Sequence, residues 1–121
     1  MVPSFYGATV DAQRTINKLL LLPASGREQD WEIELADPER IGDMLELAER
    51  SDLSYDERCA LALLTIASIE ELMEEKEVPP GIIAKAKEAI SRCSRVREAM
   101  IFYWIEQRRS ENTVLLGEII S

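Results

Sequence analysis

Apolar and polar positions recur with a helical period along most of this chain. The breaks fall at prolines, glycines and capping residues. Over residues 8–21, Val10, Ile16, Leu19 and Leu20 lie near one face, and Asp11, Arg14 and Lys18 lie toward the other, which predicts an amphipathic helix. Leu22-Pro23-Ala24-Ser25-Gly26 ends it, because proline cannot continue the hydrogen-bond ladder. Asp30-Trp31-Glu32-Ile33-Glu34-Leu35-Ala36 alternates with period two, so Trp31, Ile33 and Leu35 are expected on one side of an extended segment, with Glu32 and Glu34 opposite. Asp37-Pro38-Glu39-Arg40 is a helix start, with Asp37 as cap and Pro38 at the first helical position. Ile41, Met44, Leu45 and Ala48 form the stripe of that helix to about Arg50, and Glu46 and Arg50 are spaced to pair along it.

The next helix is the clearest. Ser54 and Glu57 form a capping box, and Tyr55, Cys59, Ala62, Ile66, Ile69 and Met73 repeat at steps of four and three. Leu61, Leu63, Leu64 and Leu72 widen the stripe over most of the circumference, which marks a central helix over 54–76. Its end, Glu70-Glu71-Leu72-Met73-Glu74-Glu75-Lys76-Glu77, sets acids where the helix dipole disfavours them. After Pro79-Pro80-Gly81, Ile82, Ile83, Ala86, Ile90 and Cys93 make another stripe. Arg97 falls out of phase with it, and the pattern resumes on Val96, Met100, Ile101 and Trp104, so a break is expected near 91–94. At least one of Phe102, Tyr103 and Trp104 should pack against the Trp31 segment. Residues 1–7 are expected to wrap or fray. Residues 108–112 are read as a link and 113–120 as a last element, helix or strand, carrying Val114, Leu115, Leu116, Ile119 and Ile120. The fold class is therefore all-α: a single compact multi-helix domain of 121 residues with one short extended segment near 30–36.

Composition narrows the chemistry. The chain contains no histidine, which removes Ser-His-Asp and Cys-His machinery and HExxH zinc sites. Two cysteines alone make no structural zinc site, and both Cys59 and Cys93 fall on apolar faces, where they read as small buried hydrophobes. Neither a GxxxxGK[ST] nor a GxGxxG run is present. No cofactor, metal or catalytic residue is assigned, and the reading is a non-enzyme. No apolar run approaches the ~20 residues of a membrane span, and nothing reads as a secretory signal, so a cytoplasmic location is expected.

Charge adds the main functional hint. The net charge is −9, which disfavours nucleic acid and anionic membranes as partners. Residues 28–77 hold 17 acidic and 4 basic groups, whereas residues 78–110 hold 3 acidic and 7 basic. Lys85, Lys87, Arg92, Arg95 and Arg97 are expected to pair with the acidic block. A subset of that block, Glu32, Glu34, Asp43, Glu46, Glu70, Glu71, Glu74 and Glu75, is the candidate surface for a cationic protein partner.

The run Asp30-Trp31-Glu32-Ile33-Glu34-Leu35-Ala36-Asp37, the following Pro38-Glu39-Arg40-Ile41, the Leu53-Ser54-Tyr55-Asp56-Glu57-Arg58 helix start with Ala60-Leu61-Ala62-Leu63-Leu64-Thr65-Ile66-Ala67-Ser68, and the late Tyr103-Trp104 carry a resemblance. Over roughly 30–104 the chain resembles small bacterial helical immunity proteins of contact-dependent or polymorphic toxin systems. The resemblance implies a cytoplasmic inhibitor that neutralises one cognate, cationic toxin domain by occlusion. It brings no functional residues with it. The other reading is a structural or regulatory adaptor that homodimerises through the apolar face at 114–120.

Overall fold

The computed structural model describes residues 7–108, with side chains through Trp104. The expectations for residues 1–6, for the link beyond Arg108, and for the element and dimer face at 113–120 lie outside the described residues. Helix α1 spans Val10–Leu20, with the Thr9 hydroxyl accepting from the Ala12 N–H at 3.2 Å. Its buried face is the four-step ladder Ala12, Ile16, Leu20. Val10, expected on that face, lies roughly 120° round the helix from it at 100° per residue, and is 59% exposed. Leu19 is also exposed. The helix stops at Leu21, before the proline, in a left-handed conformation with φ 53°. The Leu22 N–H donates to the Asn17 carbonyl at 2.9 Å and the Leu21 N–H to that of Lys18 at 3.4 Å, the paired bonds of a Schellman ending.

The segment read as extended is instead one helical turn, α2, at Trp31–Glu34. The Glu34 N–H donates to the Asp30 carbonyl at 2.8 Å and that of Leu35 to Trp31 at 3.0 Å. A lone strand would leave its backbone groups unpaired, whereas a turn satisfies its own. The change of period decides what is buried. Trp31, Glu32 and Leu35 face inward, while Ile33 points out. The Trp31 indole N–H donates to the Asn17 amide oxygen at 2.8 Å, which ties α2 to α1.

Asp37 starts the next element as expected, its carboxylate accepting from the Glu39 N–H at 3.0 Å. A 3-10 turn at Pro38–Arg40 leads into α3, Ile41–Leu47. This helix stops short of Arg50, and the Glu46–Arg50 pair does not form. Arg50 turns instead to the Asp52 carboxylate, its Nε lying 2.9 Å away. Both bonds of the capping box open α4, Tyr55–Glu75. Every residue from 59 to 69 on it is buried, so this helix is surrounded. It meets α1, α2 and α3 together with the two helices that follow, α5 (Pro80–Ser91) and α6 (Ser94–Met100). One half of the core lies between α4, α5, α6 and Trp104, the other between α4, α1, Trp31 and Leu53.

Two polar residues inside α4 have defined tasks. The Thr65 hydroxyl donates to the Leu61 carbonyl at 2.7 Å, and the Ser68 hydroxyl accepts from the Asp37 N–H at 3.0 Å. Ser68 therefore fastens the α2–α3 connection to the central helix. The expected break between α5 and α6 is present at residues 92–93, where Cys93 is extended. After α6 the backbone widens into a π-helix over Ile101–Arg108. Here the Tyr103 hydroxyl donates to the buried Glu32 carboxylate, so the aromatic run reaches the Trp31 segment through a polar contact. Among the described residues there is no strand, which bears out the all-α class, and no helix is long and apolar enough to cross a membrane.

Candidate protein-binding surface

The eight acids singled out from the sequence separate into groups. Glu32 leaves the candidate surface: it is only 5% exposed, and its carboxylate takes the Tyr103 hydroxyl. Its inward turn follows from the helical period of α2. Glu34 is exposed and accepts from the Asp30 N–H at 2.9 Å, so it serves its own turn. Asp43 and Glu46 lie one turn apart on the exposed side of α3 and line the same cleft. Glu70 and Glu71 are half-buried near the end of α4, and Glu74 and Glu75 are exposed in its last turn.

The cleft beside Asp43 and Glu46 has a volume of ≈ 420 Å³ and lies between α3 and the end of α1. Its apolar side comes from Leu19 and Leu21, which are 38% and 84% exposed. Arg40 holds the two helices together there. Its Nε contacts the Asp43 carboxylate and its Nη2 donates to the Leu20 carbonyl, each at 2.6 Å. The sequence reading missed Leu19 and Leu21 as surface residues. The signal was the run Leu19-Leu20-Leu21-Leu22: one helix face cannot take four consecutive residues.

Among the described residues, four members of the basic stripe, Lys85, Lys87, Arg92 and Arg95, form no ion pair with the acidic block. Arg92, just past the end of α5, pairs with Glu88 on that helix at 3.4 Å and donates to the Ala48 carbonyl. Arg95 lies over the Tyr55 ring, 4.4 Å from its centroid. Lys85 and Lys87 form no ion pair among the described residues. Glu46, Glu71, Glu74 and Glu75 likewise form none among the described residues.

The remaining chemistry is muted. Cys59 is fully buried, and burial pushes its thiol up to about 11, so it is a poor nucleophile. Burial also pushes the Tyr55 hydroxyl up to about 12. Leu45, Ala62, Ala86 and Ile90 help line a cavity of ≈ 30 Å³ between α3, α4 and α5, with room for a water or two. Among the described residues, no group of three or more Cys, Asp or Glu side chains is placed to hold a metal ion. Comparison of the chain with known protein families, curated proteins and solved structures finds no match.

Proposed function

We propose that this chain is a non-catalytic inhibitor of the immunity type, which binds a cationic toxin domain in the cytoplasm and covers its working surface. The carrying observation is that Glu46 on α3 and Glu71, Glu74 and Glu75 at the end of α4 form no ion pair among the described residues. Glu74 and Glu75 occupy the last turn of α4, where the helix dipole disfavours anions and where that turn holds no basic residue. Acids in such a position cost stability, and attraction of a basic partner gives them a use. Their combined field would speed encounter with a cationic surface and would weaken as salt rises. The sequence resemblance to toxin immunity proteins points the same way, and occlusion requires no catalytic group.

The test begins with the neighbouring genes. An inhibitor of this type is expected directly downstream of a large toxin gene, and co-expression should rescue growth from that toxin's C-terminal domain. Charge reversal of the exposed Glu74 and Glu75 to lysine should slow association with that domain at low salt while the fold persists, because exposed substitutions cost little stability. A neighbourhood with no toxin gene, or a toxin whose effect this chain does not relieve, removes the inhibitor reading.

A further inference from the structure

We infer that Leu21, with Leu19 beside it, is the apolar anchor of the partner-binding face, seating in a recess of the cationic partner while Glu46 meets a lysine or arginine at its rim. This rests on the inhibitor reading above and adds the place and chemistry of the contact. The first argument is strain without burial. Leu21 has φ 53° and ψ 48°, a conformation that a side chain disfavours and in which helix endings ordinarily place glycine. Packing does not offset that strain, since the side chain is 84% exposed. The Schellman ending needs only the backbone of Leu21, and it is the neighbouring Leu22 that packs partly against the core. A leucine held at this position contributes nothing visible to the fold.

The second argument is the charge around it. Four charged residues line the cleft: Arg40, Asp43, Glu46 and Arg50. Arg40 is engaged by Asp43 and the Leu20 carbonyl, and Arg50 is engaged by Asp52. Among the described residues Glu46 forms no ion pair, so the charge it adds to the cleft complements a cation. An apolar projection with an acidic rim matches the general anatomy of a protein interface, an apolar centre within a polar margin.

The third argument is rigidity. Arg40 holds the Leu20 carbonyl, and Trp31 holds Asn17 one turn earlier. The leucine is thus presented from a braced helix end, which lowers the ordering cost of binding.

The experiment uses the full chain and, as probe, the toxin domain encoded immediately upstream. Binding is measured for the wild type, Leu21→Gly, Leu21→Ser and Glu46→Gln, with thermal melts and sedimentation of each. Both Leu21 variants should weaken binding by about tenfold or more, chiefly through faster dissociation. Leu21→Gly should melt at or above the wild-type temperature, because glycine accepts the left-handed conformation. That result separates a lost contact from a lost fold. Glu46→Gln should slow association and reduce its salt dependence. Wild-type binding that both Leu21 variants retain unchanged would overturn the anchor and leave the inhibitor reading standing. No wild-type binding would overturn both. A wild-type dimer that Leu21→Ser converts to monomer would make the occupant a second copy of this chain and overturn the cationic partner.

Discussion

Removing the Tyr103 hydroxyl should destabilise this fold more than its size suggests. Tyr103→Phe deletes one oxygen and leaves the ring in place. The oxygen donates to Glu32, a carboxylate 5% exposed on a one-turn helix, 71 positions away in sequence. A hydrogen bond to a charged group is worth about 1.5–3 kcal/mol, and the buried acceptor loses a donor that water cannot readily replace. For a chain of this length, that corresponds to a fall in melting temperature of roughly 5–15 °C. Urea unfolding of wild type, Tyr103→Phe, Glu32→Gln and the double variant would give a coupling energy, which should exceed about 1 kcal/mol and stabilise the native pair. A coupling near zero would refute the reasoning and show that the π-helical segment is not fastened to α2 through this contact.

Four further outcomes follow from the packing. Ile66→Ala empties a fully buried position on α4 and should cost about 2–5 kcal/mol in denaturant unfolding; a change below 1 would mean that the site collapses around the loss. Ser68→Ala leaves the Asp37 N–H without its acceptor and should cost about 1–3 kcal/mol, again by urea unfolding. Stability should fall as pH rises above about 9. The Cys59 and Tyr55 pKa values are raised in the fold, to about 11 and about 12, so the unfolded chain ionises first and releases protons that the folded chain retains. Cys59→Ala with Tyr55→Phe should flatten that decline, and an equally steep decline would assign it to other groups. Iodoacetamide at mildly alkaline pH should label half-buried Cys93 before buried Cys59, as read by peptide mass; equal labelling would contradict the burial of Cys59.

The sequence was most legible where a signal was long or chemically specific. The capping box at Ser54 and Glu57 located the start of α4, and its broad apolar circumference identified it as the surrounded helix. The out-of-phase Arg97 marked the break between α5 and α6. The Trp31 segment misled because its alternation was short and no partner strand accompanied it. One turn of helix then placed Glu32 inside and Ile33 outside. The same short-range ambiguity hid the role of Leu21. Periodicity counts apolar residues, but it does not show which of four successive leucines ends the helix. The three-dimensional path of the chain also set the fate of the basic stripe, since Arg95 found an aromatic ring and Arg92 found a helix end. Of the candidate acids, Asp43 and Glu46 share a cleft as a joint surface would require, whereas Glu32 belongs to the interior.

The most direct test of occlusion is a titration. The activity of the toxin domain that the proposed function expects to be encoded upstream would be measured against the molar ratio of this chain. Stoichiometric binding predicts a linear fall that reaches zero at one chain per toxin, with the complex recoverable intact. Clearance of toxin activity by a small fraction of an equivalent would contradict the account, because it would require turnover by a chain to which no catalytic group is assigned. Full toxin activity in the presence of excess chain would contradict it equally.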